Sequence, residues 1–188
     1  KGEIQAAAGR TLPDIIAPGL KVLFCGINPS LYSAAVGHHF ARPGNRFWPV
    51  LYKADFTNRQ IAPFEGKELL KSGYGMTNIV SRATARADEL SKAELIAAVA
   101  SLEKKVSCYR PQALAVLGIG AYRSAFKQRS AVIGLQQERM GACRLWVLPN
   151  PSGLNAGYQL EDLTRLYRAL RMATTNRGSI HDFSGTAR

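Results

Sequence analysis

The chain has 188 residues, 46% of them hydrophobic, which suits one domain with an ordinary buried core. Lys and Arg number 25 against 13 Asp and Glu, and the formal charge of +12 favours a polyanionic partner, nucleic acid before membrane. The alternative is a basic protein without such a partner. No apolar run approaches the roughly 20 residues of a membrane span, and residues 6–8 are too short for the apolar part of a signal peptide.

The cysteines and histidines do not suggest a metal centre. Cys25, Cys108 and Cys143 are widely spaced and form no C-x-x-C pair. His38 and His39 lack a third ligand at metal spacing, so we do not expect a metal site. Cys25 and Cys143 lie in apolar runs and are predicted to be buried. A reducing, cytoplasmic setting is expected for a chain with this cysteine usage.

Three regions are predicted along the chain. Residues 1–19 are small and polar with Gly and Pro breakers, which favours an N-terminal arm. Residues 20–173 alternate strand-like and helix-like segments and form the predicted domain. Residues 174–188 lose apolar periodicity and are predicted to be a loosely held tail.

Short apolar runs predict the strands of the domain, and periodic segments predict its helices. Predicted strands are 21–27, 76–80, 113–117 and 143–148. Predicted helices are 45–54, 65–71, a long helix capped by Ser91, one starting at 122–126, and a final helix through 160–170. This alternation predicts an α/β fold with a parallel sheet between helical layers.

The tripeptide Asn-Pro-Ser occurs twice, at 28–30 and 150–152, each time directly after an apolar run. Loops after the carboxyl ends of parallel strands build ligand sites, so these two loops are predicted to face one crevice. Gly26 lets a ligand approach the backbone, and Pro29 keeps Asn28 out of the helical region. The Asn28 amide can orient a water or contact a base edge, but it cannot serve as a strong general base. The alternative is an Asx-turn that closes the strand.

Two further loops have features of nucleic-acid contacts. Basic, aromatic and glycine residues interleave over 38–48, a pattern suited to stacking on a nucleobase. The alternative for Phe47 and Trp48 is that they pack in the hydrophobic core. Leu154 lies between glycine and small polar residues, which suits a wedge inserted into a base stack. The alternative is a leucine packed onto its own domain. Nearby Lys and Arg would hold phosphates.

Three motifs occur in the order and spacing of one known family. They are Gly26-Ile27-Asn28-Pro29, Asn45-Arg46-Phe47-Trp48 and Asn150-Pro151-Ser152-Gly153-Leu154. With them the chain resembles the mismatch-specific uracil-DNA glycosylase and thymine-DNA glycosylase family of the uracil-DNA glycosylase superfamily. The resemblance covers about residues 15–172.

The resemblance implies a three-layer α/β/α sandwich with a short, mostly parallel central sheet. It implies a monofunctional DNA repair glycosylase that flips uracil, and some modified pyrimidines or thymine, out of mispairs with guanine. Hydrolysis of the N-glycosidic bond would leave an abasic site. The implied partner is double-stranded DNA containing mispaired uracil, with single-stranded DNA as a further candidate. No cofactor, metal or membrane is implied, and we expect a monomer of bacterial, cytoplasmic type.

The same resemblance implies roles for individual residues. Asn28 positions the attacking water, Phe40 stacks on the flipped base, and Gly26, Ile27 and Asn45 belong to the base-binding site. Leu154 fills the gap that the flipped base leaves. The remaining residues of the DNA-contacting loop are Asn150, Pro151, Ser152, Gly153 and Asn155, of which Gly153 and Asn155 lie near the orphaned guanine.

This chain departs from the family pattern at several positions. Ser30 stands where glycine is usual, Asn78 stands where lysine is common, and Asn155-Ala156 replaces serine and arginine. Asp88 stands where the family often has a neutral residue, and it is a second catalytic candidate if its segment borders the pocket. It would then activate water or stabilise the sugar cation. The alternative is a solvated carboxylate near the start of the helix that follows.

A second function remains open for the same residues. A non-catalytic DNA-binding module that recognises lesions or mismatches would have the same charge and the same wedge loop. An enzyme that acts on nucleotide phosphates is disfavoured, because neither G-x-G-x-x-G nor a P-loop follows the strands.

Overall fold

The computed structural model describes residues 2–175, and most of the predicted tail, 174–188, lies outside them. Within this part of the chain the strands are β1 (Val22–Gly26), β2 (Tyr74–Asn78), β3 (Ala113–Leu117), β4 (Gly134–Met140) and β5 (Cys143–Leu148). The helices are α1 (Gly2–Gln5), α2 (Leu31–Val36), α3 (Phe47–Lys53), α4 (Lys92–Tyr109), α5 (Ile119–Ala125) and α6 (Leu160–Thr175). Two 3-10 helices cover Pro63–Ser72 and Ala87–Glu89.

The strands form one five-stranded sheet in the order β2-β1-β3-β5-β4. Neighbouring strands are parallel except β4, which runs antiparallel to β5. The carboxyl ends of β1, β2, β3 and β5 therefore meet at one edge, where Gly26 lies in register with Asn78. The α/β prediction with a mostly parallel central sheet flanked by helices is confirmed.

The central strands are buried on both faces, so successive side chains pack against different layers. Phe24 of β1 contacts Phe47 and Tyr167 on the side of α3 and α6, with ring centroids 5.4 and 6.1 Å away. Leu23 and Cys25 face the other layer, which α4 and α5 cover. The predicted burial of Cys25 and Cys143 is confirmed, and Phe47 and Trp48 are core residues.

The predicted cap of the long helix is present. The Ser91 hydroxyl accepts a hydrogen bond from Glu94 N at 3.1 Å and satisfies a donor that the first turn of α4 would otherwise leave unpaired. The buried face of α4 contains Leu95, Leu102 and Val106. The helix ends where Arg110 takes a left-handed conformation, with φ of 48°.

Two elements had no clear sequence signal. The edge strand β4 is mostly polar, and only Gln136 and Met140 within it are buried, so it lacks an apolar run. Helix α2 is six residues long, too short to show helical periodicity, and Ser30 is its N-cap residue. The segment predicted as a helix over 65–71 is a 3-10 helix spanning Pro63–Ser72.

Residues 2–19, the described part of the predicted arm, lie against the domain. Ala7 and Leu12 are buried, and Ile15 exchanges two backbone hydrogen bonds with Met76 of β2. Gly75 permits this contact, since a Cβ there would lie 2.5 Å from the Ile15 carbonyl oxygen. Among the described helices, we find none that is long and apolar enough to cross a membrane.

Candidate active site

A pocket of about 460 Å³ opens at the carboxyl edge of the sheet. Its walls come from the loops after β1 and β5, the 39–45 segment and the 84–88 segment, with Asn78 at the end of β2. Nine of the predicted site residues line it: Gly26, Ile27, Asn28, Phe40, Asn45, Asp88, Asn150, Ser152 and Leu154. The other three, Pro151, Gly153 and Asn155, lie in the loop that carries Leu154.

The Asn28 side chain is held by two hydrogen bonds to the chain beyond β2. Its Nδ2 donates to the Arg82 carbonyl at 3.0 Å and to Thr84 Oγ1 at 2.7 Å. Thr84 Oγ1 in turn donates to the Arg86 carbonyl at 2.7 Å, so it can only accept from Asn28. Both amide hydrogens of Asn28 are thereby used, and its Oδ1 is left as the acceptor available to the pocket. The amide therefore serves this bridge rather than an Asx-turn within its own loop.

Ser30, which stands where the family usually has glycine, has a structural role. Its Oγ accepts from Ser33 N at 3.1 Å and caps the first turn of α2. The Ser33 hydroxyl accepts from Ala41 N at 3.1 Å, which connects α2 to the segment containing Phe40. The first Asn-Pro-Ser loop thus orients an amide and begins a helix.

A narrow slot lies between the ring of Phe40 and the amide of Asn78. Phe40 has φ of 52°, an uncommon value for a non-glycine residue, and such strain is characteristic of functional sites. Its ring stacks on Phe47 with centroids 4.0 Å apart. Gly26 keeps the slot open, because a Cβ there would lie 2.5 Å from Asn78 Oδ1 and 3.4 Å from the Phe40 ring.

Asn78 is 8% exposed, and its side chain has no hydrogen-bond partner among residues 2–175. Its position as the last residue of β2, level with Gly26, places it in the slot. The Asn78 amide atoms are not among the fully buried polar atoms that lack a partner, so they are accessible from the pocket and suited to pair with a ligand. Asn45, in contrast, has a structural contact, since its Oδ1 accepts from Phe47 N at 2.9 Å at the start of α3.

His39 forms a neutral wall of the pocket. It is buried, and its Nε2 lies 2.9 Å from the Pro13 carbonyl. Burial lowers the pKa of His39, which favours the neutral ring with a proton on Nε2 donated to Pro13. Its own carbonyl accepts from Trp48 Nε1 at 3.2 Å. The N-terminal segment is therefore joined to the pocket through His39.

The second Asn-Pro-Ser loop is a stiff turn that presents Leu154. Asn150 Oδ1 accepts from Ser152 N at 2.9 Å, and Asn155 Nδ2 donates to the Asn150 carbonyl at 3.0 Å. Leu154 is 75% exposed, so the alternative of a leucine packed onto the domain is wrong. Because Asn155 Nδ2 is used within the loop, the Asn155 side chain has less capacity for an outside partner.

Arg46 fastens this loop to the start of α3. Its guanidinium donates to the carbonyls of Ser152 at 2.6 Å and Asn155 at 2.9 Å, and also to those of Pro151 and Tyr158. A second contact lies nearby, where a Cβ on Gly153 would be 2.6 Å from the Gly44 carbonyl oxygen. The Leu154 loop and the 40–47 segment are thus tied together.

Asp88 borders the pocket, but its carboxylate is paired. Arg86 donates to both Asp88 oxygens, with the shortest contact 2.6 Å, and the Asp88 side chain is 63% exposed. The Arg86 guanidinium lowers the pKa of Asp88, so the carboxylate is ionised at neutral pH. In residues 2–175 no cluster of three or more His, Cys, Asp or Glu is arranged to hold a metal.

Comparison with known proteins identifies the family. A sequence model of the uracil DNA glycosylase superfamily matches residues 13–171. The chain belongs to this superfamily. A solved structure with a similar fold is the solution NMR structure of a candidate uracil DNA glycosylase from Methanosarcina acetivorans. It has 20% sequence identity and a TM-score of 0.58, and the match covers 87% of this chain and 98% of that one. Superfamily membership supports DNA glycosylase activity on a DNA partner.

The sequence did not predict the roles of two residues of the site, Asn78 and Arg46. Asn78 was considered only as a departure from the family pattern. The sequence placed it in the middle of the predicted strand 76–80, whereas β2 ends at Asn78 in the structure. Arg46 entered only as part of a motif. Its contacts join residues more than 100 positions apart, so the local sequence contains no sign of them.

Replacing Arg46 with lysine tests the connection between the two loops. Lysine keeps the charge but lacks the planar fork that reaches several carbonyls at once. We expect hydrogen exchange at the Ser152, Leu154 and Asn155 amides to accelerate about tenfold, or about 1.4 kcal/mol of lost protection. The control Arg165→Lys alters an exposed arginine of α6 and is expected to leave these amides unchanged. Equal hydrogen-exchange rates at these amides in wild type and Arg46→Lys would contradict the proposed role of Arg46 in holding the Leu154 loop.

Proposed function

We propose that this DNA glycosylase flips uracil out of mispairs with guanine in double-stranded DNA and hydrolyses its N-glycosidic bond. The product is an abasic site in an uncut strand, and single-stranded uracil DNA is a second substrate. The protein acts as a monomer without a metal or cofactor. The observation that carries the proposal is the fixed orientation of the Asn28 amide. Its acceptor oxygen faces a pocket whose slot, between Phe40 and Asn78, is suited to bind a nucleobase.

The slot has the chemistry that a flipped uracil needs. A base inside a duplex must be extruded before its glycosidic bond is accessible, at a cost of a few kcal/mol. Phe40 offers a ring for stacking, and the Asn78 amide offers one donor and one acceptor for the O4 and N3–H edge of uracil. A weak G·U pair lowers the cost of extrusion, so it contributes to selectivity.

Leu154 is placed to fill the gap in the stack. An exposed apolar side chain inserted between bases offsets part of the stacking that extrusion removes. The loop behind it is held by Arg46 and by its own turn, so little order has to be gained on binding. The formal charge of +12 supports attraction to the phosphate backbone.

The chemistry relies on positioning rather than on a strong base. Cleavage passes through a sugar with oxocarbenium character while negative charge develops on the leaving uracil. Asn28 Oδ1 accepts a hydrogen bond from water and aims it at the sugar. An amide cannot remove the proton at neutral pH, so the proton that the water loses on forming the new C–O bond balances the negative charge of the departing uracil. No lysine lines the pocket among the described residues, which favours simple hydrolysis over a lyase step.

Asn28→Ala separates an enzyme from a DNA-binding module. We expect the single-turnover rate on a G·U duplex to fall about a hundredfold or more, as measured by alkali and heat cleavage at the abasic product. Binding to a duplex with a tetrahydrofuran abasic analogue should persist, because stacking and phosphate contacts remain. Asn58→Ala, an exposed amide outside the pocket, is the control. If wild type leaves uracil intact both opposite guanine and in single strands, the non-catalytic alternative replaces this proposal.

Asp88 is the second catalytic candidate of this proposal. Its ion pair with Arg86 determines how much we expect its replacement to change the excision rate. Solvent and salt screen an exposed, paired carboxylate, so Asp88→Ala should change the G·U rate by less than about fivefold. The measurement is a panel of G·U, A·U, G·T and single-stranded uracil substrates, with Asp88→Asn as the variant of matched size. A loss above tenfold on any of them, with unchanged binding, would place Asp88 among the groups that act on the reacting atoms.

A further inference from the structure

A second groove, about 380 Å³ in volume, adjoins the pocket on the side of α2. We call it the Tyr32 groove, and the residues that line it are Ile4, Ser30, Leu31, Tyr32, Arg42, Pro43 and Ala85. Its wall is mostly apolar with one aromatic ring and one cation. Nothing in the proposed excision of uracil requires it.

The Tyr32 groove is continuous with the pocket. Ser30, Arg42 and Ala85 line both cavities. Arg42 also lines a small cleft next to Gly153 and Leu154, so it stands where the pocket, the Tyr32 groove and the cleft meet. Its side chain is exposed and makes no ion pair or side-chain hydrogen bond with any residue in 2–175.

This combination matches the way proteins hold single-stranded nucleic acid. Such sites pair a cation for the phosphate with an aromatic ring on which a base stacks, and they need few polar groups because stacking tolerates every base. The slot in the pocket differs, since it contains the amides of Asn28 and Asn78. The pocket is therefore suited to read one base, and the Tyr32 groove is suited to stack another.

Part of the groove lies outside the superfamily match. Ile4 belongs to α1, whereas the match begins at residue 13. The N-terminal segment thus supplies a wall next to the pocket from residues outside the superfamily match.

We propose that the Tyr32 groove binds the unpaired base adjacent to the flipped nucleotide on the same DNA strand. That base stacks on Tyr32, and Arg42 binds the phosphate between the two nucleotides. In a duplex the adjacent base stays paired with its complement, so the groove adds affinity mainly for single-stranded DNA. The inference rests on the proposed function, because it takes the pocket as the site of the flipped nucleotide.

The test compares single-stranded and duplex probes of one sequence. Each probe contains a tetrahydrofuran abasic analogue with 2-aminopurine on one side or the other, and fluorescence anisotropy gives the dissociation constants. Tyr32→Ala should lower the ratio of single-strand to duplex association constants roughly tenfold, the size of one lost base stack. It should also abolish the 2-aminopurine quenching that wild type shows at one of the two positions. Tyr32→Phe should restore both readouts.

Tyr52→Ala is the matched control, since Tyr52 is an exposed tyrosine of α3 outside the groove. An unchanged affinity ratio together with unchanged quenching in Tyr32→Ala overturns the proposal, as does a wild type that does not bind the single-stranded probe. The probes contain no uracil, so these results are independent of excision. Failure of wild type to excise uracil would count against the proposed function alone.

Arg42→Ala provides a second measurement on the same probes. Because phosphates are present in both, this variant should weaken the binding of both and reduce the dependence of log K on log salt by about one. Lys104→Ala removes the same charge from the exposed side of α4 and should leave the affinity for both probes and the salt dependence unchanged. A salt dependence equal to that of wild type in Arg42→Ala would remove Arg42 from the groove's proposed role.

Discussion

The guanidinium of Arg46 joins two parts of the chain that the site cannot do without. It donates to carbonyls of the loop that presents Leu154. Arg46 also directly precedes α3, whose first residue, Phe47, supports the ring of Phe40. Hydrogen bonds from a charged donor to several carbonyls are among the stronger ones in proteins, and the planar fork fixes their directions. The distance between the slot and the exposed leucine is therefore set before any DNA binds. A protein that must remove a base and fill the resulting gap in one event benefits from such preorganisation.

The slot itself is built from neutral groups. Asn28 is oriented by a chain of hydrogen bonds through Thr84, and Asn78 reaches the slot because β1 and β2 pair with Gly26 level with it. The charged groups Arg86 and Asp88 lie at the border and neutralise one another. This arrangement favours the binding and orientation of a base and a water over proton transfer, which accounts for a proposed chemistry of positioning.

The sequence predicted the parts of the fold that depend on burial. Strands β3 and β5 begin and end where the apolar runs do, because both faces of these strands are covered. The polar edge strand β4 and the short helix α2 were not predicted, since neither shows a helical period or an apolar run. The family motifs that contain Asn28 and Leu154 predicted that both residues belong to the site. Asn78 needed the register of β1 and β2, which is a property of the assembled sheet and not of any local segment.

The most direct test of this account is a structure of the protein with a G·U duplex whose uridine bears a 2′-fluorine, which resists cleavage by destabilising the oxocarbenium-like sugar. We expect uracil in the slot between Phe40 and Asn78, with Leu154 in the vacated position of the base stack. A uracil that remains stacked in the duplex, or a Leu154 that stays in solvent while the base is flipped, would contradict it.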